Sequence, residues 1–237
     1  MIMKKPLLLI LYFSILFQMS AYSQVSFQAY GGLATFQMDG LKDLNALVEE
    51  SVPFDISNVD NFDPGFYFGA SVKTALFSNL MVGLSYQYNT TGSRIGLKDY
   101  SGYYNFDQIV NGHLLGIEPG VIMEETSKYR LVFSVMSGAL FTFIKTEEVL
   151  SVSGQKEEDQ EYMSAFSILV YPSINLSIPV NDFISGYFSA GYMVDTGGKV
   201  HLKDNRDAVL NIDGYPVKTG WTGFRISAGL QLNLGRR

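Results

Sequence analysis

Apolar and polar residues alternate with a period of two along most of the chain after residue 24, as in β-strands whose two faces meet different surroundings. The same alternation marks 25–38, 64–76, 80–92, 108–123, 130–144, 162–178, 183–194 and 221–234. It is clearest in the last of these segments, whose alternate positions are Phe224, Ile226, Ala228, Leu230, Leu232 and Leu234. The pattern therefore predicts an all-β fold with eight strands, each about 12 to 17 residues long.

The connections between these strands alternate between short and long. The short ones are 77–79, 124–129 and 179–182, and the long ones are 39–63, 93–107, 145–161 and 195–220. Such strands exceed the ~5–6 residues usual in globular sheets but suit a tilted membrane crossing of ~9–11 residues with extensions. An even number of strands with short turns at one end is typical of bacterial outer-membrane barrels. We therefore expect an eight-stranded antiparallel transmembrane β-barrel with short periplasmic turns and four longer extracellular loops.

Charged residues avoid the predicted strands. The eight segments span 114 residues, which at 17% charged would hold about 19 of the 40 charged residues, yet they hold four. These four are Lys73, Glu118, Arg130 and Arg225. A soluble barrel or sandwich also alternates, but it covers its polar face with lysine and glutamate. Here the polar face carries Gly, Ser, Tyr, Gln and Asn, which suit a narrow interior filled by side chains. The apolar face is therefore predicted to contact lipid.

The N-terminus has the layout of a secretory signal peptide. Lys4 and Lys5 precede an apolar stretch over 7–17, and Ala21-Tyr22-Ser23 forms a small-x-small cleavage site. About 11 apolar residues are too few for a spanning helix, which needs ~20. We predict cleavage after residue 23, a barrel domain over 24–237 and export to the cell outer membrane. The mature chain would have 15 basic and 23 acidic residues, a net charge of −8.

Little in the sequence points to catalysis or a bound cofactor. The chain has no cysteine, which excludes disulfides, thiol chemistry and zinc–thiolate sites. A net charge of −6 without a basic tract disfavours binding to nucleic acid. His113 and His201 are the two histidines, and no serine lies two residues from His113 to share its strand face. We predict no enzymatic activity, no catalytic residues, no cofactor site and no metal site.

Two of the predicted loops are strongly acidic. Loop 39–63 has a net charge of −6 and loop 145–161 a net charge of −4, but neither has the spacing of a calcium-binding loop. Solvated carboxylates are therefore favoured over a divalent-cation site. Within the first loop, Leu41, Leu44, Leu47 and Val48 follow a helical period, which predicts a short amphipathic helix over the mouth of the barrel.

The mature chain as a whole resembles the eight-stranded outer-membrane barrels of the OmpA and OmpX type. Two segments narrow the resemblance to the porin-like or PorT-like family. They are the extended first strand Val25-Ser26-Phe27-Gln28-Ala29-Tyr30-Gly31-Gly32 and the segment Leu115-Gly116-Ile117-Glu118-Pro119 in the fourth strand. The resemblance implies an outer-membrane location and leaves the function open.

Three functions are compatible with such a barrel. The first is a non-enzymatic envelope, surface-interaction or assembly role, with outer-membrane lipids as neighbours. In that role an envelope or secretion-machinery protein would bind through loops 39–63 and 145–161. The alternatives are a small-solute porin or transport channel and, less favoured, a barrel-type lipid-modifying or proteolytic enzyme. Eight strands enclose a space about wide enough for side chains to fill, which favours the first role.

Three of the strand charges fall on the face predicted to line the lumen. Lys73 and Glu118 lie at similar depths, and an isolated buried charge is expensive, so we predict that they form an ion pair. Arg225 lies nearer the outer end and is expected to meet tyrosines or loop carboxylates. This lumen charge cluster would act as a structural plug rather than as a salt-bridge gate.

A closed transmembrane barrel predicts a specific behaviour in detergent. The mature protein should fractionate with outer membranes and keep its folded mobility in SDS until it is boiled, because a closed sheet has no edge from which to unravel. Gel mobility with and without heating measures this. Recovery of the chain as a soluble monomer without detergent would contradict it.

Overall fold

The computed structural model describes residues 25–53, 56–100, 102–153, 155–203, 205 and 207–234. The predicted signal peptide lies outside the described residues. The dominant elements are eight long strands. They are β1 Val25–Ala34, β2 Gly65–Ala75, β3 Leu80–Lys98, β4 Gly102–Glu125, β5 Arg130–Val152, β6 Gln155–Pro179, β7 Ile184–Asp195 and β8 Gly223–Leu234.

Each long strand pairs antiparallel with its neighbours in the chain, and β8 pairs with β1 to close the ring. The closing register runs from Val25 opposite Leu234 to Ala34 opposite Arg225. Short turns at 76–79, 126–129 and 180–183 lie at the end of the barrel that holds both ends of the ring. The predicted eight-stranded antiparallel barrel is confirmed. Among the described residues, no helix is long and apolar enough to cross a membrane.

The two faces of the ring are inverted relative to a soluble barrel. Outward side chains are large, apolar and exposed, and they include Phe68, Leu84, Ile117, Phe166, Ile168 and Leu230. Inward positions are buried and largely polar, and they include Ser71, Ser85, Gln87, Ser134, Asn175 and Ser227. An exposed apolar band around a closed antiparallel sheet is the surface of an outer-membrane barrel, because lipid admits only backbones whose polar groups are all paired. The chain is therefore an outer-membrane β-barrel protein.

Four strands, β3 to β6, continue well beyond the apolar band. The prediction that 93–107 and 145–161 are loops is therefore wrong, because strands occupy most of both ranges. β3 joins β4 through residues 99–101, β5 joins β6 through residues 153–154, and the short strand Ser57–Asn61 pairs with the upper end of β3. We call this projecting part, residues 57–61, 93–98, 102–109, 145–152 and 155–162, the extracellular sheet. Its inner face carries a small apolar core. That core comprises Ile56, Ile95, Tyr104 and Phe106, with Val48, Val52, Leu97 and Leu150 packed against it.

The other two long connections fold over the mouth of the barrel. The first contains the predicted helix, α1, Asp39–Ser51. Of the predicted apolar face it buries Leu41 fully, whereas Leu47 is exposed and the polar Asn45 is buried instead. The last connection contains the short strands His201–Leu202, Asn211–Ile212 and Tyr215–Pro216. It then returns to β8 through Trp221, whose side chain is fully buried. Both connections therefore contribute side chains to the interior.

The exposed apolar band gives a direct test of the lipid-facing assignment. Val170 lies on the outer face of β6 well inside the band and is 43% exposed. Replacing Val170 by Arg should lower the free energy of unfolding in lipid vesicles by roughly 2–4 kcal/mol, because the charge would enter hydrocarbon near the bilayer midplane. Denaturant titration monitored by Trp221 fluorescence measures the change.

The chain offers a matched control for this substitution. Val152, at the tip of the extracellular sheet, is the same residue type and is 48% exposed, but to water. Val152→Arg should leave the unfolding free energy within about 0.5 kcal/mol of the parent. Equal losses at Val170 and Val152 would mean that the band does not face lipid.

Candidate functional site

The lower half of the lumen, toward the short turns, is built around one ion pair. The Lys73 Nζ lies 2.6 Å from Glu118 Oε1, and both side chains are buried. Gly83 stands between them in register, opposite Lys73 on one side and Glu118 on the other. A Cβ at Gly83 would lie 2.7 Å from Lys73 Cγ, so the absence of a side chain there gives the lysine its path across β3. The structure thus brings Lys73 and Glu118 together in one site.

Hydroxyl and amide groups complete the coordination of this pair. Ser85 Oγ donates to Glu118 Oε2 at 2.7 Å, and Ser134 Oγ donates to Glu118 Oε1 at 2.7 Å. Asn175 Nδ2 donates to Ser134 Oγ at 2.8 Å, and the Tyr187 hydroxyl donates to Asn175 Oδ1 at 2.6 Å. These bonds join six consecutive strands, β2 to β7, into one polar layer across the lumen.

Little free space remains in this polar layer. Two cavities of about 20 Å³ and about 30 Å³ adjoin it on the side of the short turns, and both are lined by Arg130, Ser177 and Gln231. A water molecule needs roughly 10–15 Å³ of such space, so each cavity has room for about one or two waters. Cavities of this size can admit water to the layer from below but are too small for a solute.

Arg225 lies apart from the Lys73–Glu118 pair and is only 1% exposed. Its Nη1 donates to Asn89 Oδ1 at 2.6 Å and to Gln87 Oε1 at 3.2 Å. Its guanidinium carbon also lies 5.2 Å from the centroid of the Tyr67 ring. Within the described residues, no carboxylate forms an ion pair with Arg225. Amide oxygens and an aromatic face hold this cation, rather than the loop carboxylates that the sequence also allowed.

Above Arg225 the lumen is filled by apolar side chains. Trp221 descends from the last connection, donates from Nε1 to Thr142 Oγ1 at 2.9 Å and meets the Phe36 ring edge-on. Strand and loop residues surround it. They include Met38, Leu41, Val110, Leu114, Met136, Leu140, Ile144, Leu169 and Val217. This apolar layer closes the barrel on the extracellular side.

The extracellular sheet has one strand edge without a partner among the described residues. β6 pairs with β5 along its whole length, but on its other side pairing starts only at Met163 and Ser164, with Leu202 and His201. The Lys203 amide also donates to the Tyr162 carbonyl at 2.9 Å. From 155 to 161 no described strand pairs with this side, and every side chain is exposed. The Gln160 amide donates to the neighbouring Asp159 Oδ1 at 2.9 Å. We call residues 155–161 the free edge.

The two faces of the extracellular sheet differ in charge. Glu157, Asp159 and Glu161 share the inner face, where Asp159 lies opposite Glu148 on β5. The outer face mixes signs instead, and its acidic groups pair with Arg94, Lys145 and Lys156. The hydrogen bond from Lys156 holds the pKa of Glu158 below its ordinary value. The carboxylates of the inner face therefore give the free edge a negative side.

The two histidines are far from an arrangement suited to catalysis. His113 faces outward in the apolar band, where its Nδ1 lies 2.8 Å from the Tyr86 hydroxyl, and His201 lies in the last connection. Among the residues that the structure describes, no three carboxylate or histidine side chains are grouped so that they could hold a metal ion. The features that sequence reasoning did not single out are the free edge, the two serines that donate to Glu118, and the asparagine and tyrosine that extend their network.

Comparison with known proteins gives no relative in sequence. No family model matches the chain, and no curated protein matches it, so the narrower resemblance to the porin-like or PorT-like family stays a prediction. Solved outer-membrane barrels are similar in fold. OprG from Pseudomonas aeruginosa is 10% identical, with 90% of this chain and 96% of that chain covered and a TM-score of 0.45. Ail of Yersinia pestis is 13% identical, with 88% and 97% covered and a TM-score of 0.35.

Neisserial surface protein A is also similar, at 11% identity over 90% of this chain and 97% of that chain, with a TM-score of 0.36. A further solved structure contains Ail in complex with the heparin analogue sucrose octasulfate. At these identities the comparison concerns the barrel architecture alone.

The buried ion pair predicts a large effect of removing one charge. Glu118→Gln should lower the unfolding free energy by about 3–5 kcal/mol, because it leaves the Lys73 ammonium buried without its counter-charge. Urea titration in lipid vesicles measures the loss. In planar bilayers the same variant should show no steady conductance steps, since the apolar layer above stays in place.

A double substitution separates the unpaired charge from a general loss of packing. Lys73→Met combined with Glu118→Gln should recover most of the stability, because a paired removal leaves no buried charge. A double variant as unstable as Glu118→Gln, or a stepwise conductance altered by Glu118→Gln, would refute the structural-plug interpretation.

Proposed function

We propose that this barrel is a non-enzymatic surface-interaction protein, which binds an extracellular protein partner by adding one of the partner's strands to the free edge. The observation that carries the proposal is the row of backbone groups over 155–161 that no described strand pairs, where the Gln160 amide donates only to the adjacent Asp159 side chain. Strand addition to an exposed sheet edge is a recurring mode of peptide recognition, in which main-chain hydrogen bonds supply affinity.

The free edge is long enough for this role and lies where a partner can reach it. Seven residues extend about 23 Å along the strand. They project beyond the apolar band on a sheet that is held by β5 over its full length and stabilised by its own small core. An edge of this kind is rigid before binding, which lowers the conformational entropy lost on association.

Charge indicates which partner fits. Glu157, Asp159 and Glu161 line one side of the edge, and Glu148 adds a fourth carboxylate next to Asp159. Two acidic edges of this type would repel each other, which protects the chain against pairing with its own copies. A lysine- or arginine-rich extended segment would instead be attracted and oriented by this field. We infer that the partner presents a basic strand.

The contents of the lumen favour binding over transport. The polar layer around Lys73 and Glu118 and the apolar layer around Trp221 together fill the interior of the barrel. An eight-stranded ring encloses only about the volume that side chains occupy. This supports a role for the outer surface, and it argues against the small-solute channel.

A proline substitution tests strand addition. The Tyr162 carbonyl points to the free-edge side, so Gln160, two residues away, directs its amide to the same side. Gln160→Pro would remove that donor and spare the ladder with β5. We expect it to weaken binding of a synthetic ten-residue peptide of alternating Lys and Thr by about tenfold or more, or about 1.4 kcal/mol. Fluorescence anisotropy of the labelled peptide measures binding.

Gln160→Thr is the matched control, because threonine removes the same side chain but keeps the backbone donor and suits a strand. It should bind the peptide within about twofold of the parent protein. Equal binding by the proline and threonine variants would contradict strand addition. If Asp159→Lys loses peptide binding while Gln160→Pro binds as the parent protein does, the peptide is held by charge attraction alone.

A further inference from the structure

We propose that the lumen holds one buried monovalent anion, bound between the guanidinium of Arg225 and the hydroxyls of Tyr67, Tyr171 and Ser227. We call these four residues the anion site. The site lies inside the barrel, at the level where the polar layer of the lumen meets its apolar layer. It is separate from the free edge and does not rest on strand addition.

The guanidinium of Arg225 has more donors than partners. Its Nη1 donates to Asn89 and Gln87, but its Nε and Nη2 are buried and have no hydrogen-bond partner among the described residues. These two nitrogens carry three N–H groups, and a guanidinium cannot accept a hydrogen bond. The rings of Phe36 and Tyr67 lie 5.8 Å and 5.2 Å from the guanidinium carbon. They attract the cation but offer no lone pair, so the three N–H groups still need an acceptor.

Two tyrosine rings reach the same part of the lumen by crossing glycines. Tyr67 of β2 crosses β1, where a Cβ at Gly32 would lie 2.8 Å from Tyr67 Cε1. Tyr171 of β6 crosses β7, where a Cβ at Gly191 would lie 2.8 Å from Tyr171 Cε2. β1 and β7 are the two neighbours of β8, and Gly191 lies directly opposite Arg225. The two rings therefore approach β8 from both sides.

Three hydroxyls add further donors around this guanidinium. Tyr67 Oη, Tyr171 Oη and Ser227 Oγ are buried, and none makes a well-formed hydrogen bond to a described residue. Ser227 and Tyr67 lie directly opposite Gly32 on its two sides. The two tyrosine hydroxyls interact with each other and with Arg225. Three N–H groups and three hydroxyls are thus gathered in one buried region, where a single acceptor could serve several of them.

Charge favours an anion over a water molecule as this acceptor. A buried cation without a counter-charge is costly, and Glu118 is already paired with Lys73. Asp195 attracts Arg225 from a distance, but among the described residues the two form no ion pair. The Oδ2 of Asp195 instead accepts from the Trp221 amide at 3.2 Å. Water would satisfy the donors and leave the charge, whereas an anion satisfies both.

The surroundings indicate a small monovalent ion such as chloride or bromide. One monovalent ion balances the single guanidinium, whereas a divalent ion would leave excess negative charge and would cost more to desolvate. The tyrosine rings already occupy the space over both glycines, which leaves little room for a polyatomic anion. Arg225 is only 1% exposed, so we expect the ion to be taken up while the barrel folds.

The experiment measures how many anions folding takes up. The mature barrel is unfolded by urea in lipid vesicles at fixed ionic strength, with sodium chloride replaced stepwise by sodium gluconate, whose anion is too large for the site. The folded fraction is read from the heat-modifiable SDS band. Uptake of one ion makes the logarithm of the folding equilibrium constant rise with the logarithm of the chloride concentration, with a slope approaching about one.

Three variants assign the ion to the anion site. Arg225→Gln removes the cation, so its slope should fall to nearly zero. Tyr171→Phe removes one hydroxyl and keeps the ring, so it should need about tenfold more chloride to reach the same slope. Arg94→Gln is the matched control, because it removes an exposed arginine of the extracellular sheet that pairs with Asp107. Its slope should equal that of the parent protein.

Bromide locates the ion in the parent protein, whether or not Arg225→Gln folds. In crystals of the barrel refolded in sodium bromide, anomalous scattering at the bromine absorption edge should give a peak within hydrogen-bonding reach of Arg225 Nε and Tyr67 Oη.

Three results would overturn the proposal. A slope near zero for the parent protein would mean that water, not an anion, meets the buried donors. Equal slopes for the parent protein and Arg225→Gln would place the ion elsewhere. Bromide peaks confined to the outer surface of the barrel would show that the lumen holds no anion.

Discussion

Pairing of the first strand with the last is the constraint on which the rest of this structure depends. Val25–Ala34 and Gly223–Leu234 close the ring, so the described strands have no open edge inside the apolar band. Lipid cannot hydrogen-bond to such groups, which makes closure a condition for crossing the membrane. Closure with eight strands also fixes a narrow interior. Every inward side chain must then find its partners within a small volume, as Lys73 and Glu118 do across Gly83.

The same constraint explains why the apolar positions change face where the strands leave the membrane. Within the band of β3, Leu84 faces lipid, whereas farther up Ile95 faces inward to a small core. Lipid rewards apolar side chains on the outside, and water rewards them on the inside. Above the band, unpaired backbone groups can be hydrated, so a free edge is tolerated there. The free edge and the small core of the extracellular sheet are both consequences of passing from lipid to water.

This change of face also determines how much of the fold could be predicted. Within the band the contrast between faces is strong, and all eight strands and the inward positions of Lys73, Glu118 and Arg225 followed from it. The predicted strand boundaries at 92, 108 and 144 lie close to the level where apolar side chains change from the outer face to the inner face. An alternation that keeps apolar residues on one face stops at that level. On β6 both faces above the band are polar, so no period marks residues 155–161 as strand. Ser85 and Ser134 could not be distinguished from other inward polar residues, since only the three-dimensional register brings them to Glu118.

The lumen is divided into a polar lower layer and an apolar upper layer, and this division bears on what the outer surface can do. The ion pair at Lys73 needs hydrogen-bonding neighbours, and small cavities beside Gln231 admit water to it from the side of the short turns. Trp221 and the residues around it form an apolar layer between that region and the extracellular sheet. Close-packed apolar layers resist deformation, because any shift opens voids or causes overlaps. A partner on the free edge therefore meets a rigid support, and its binding does not require the barrel to open.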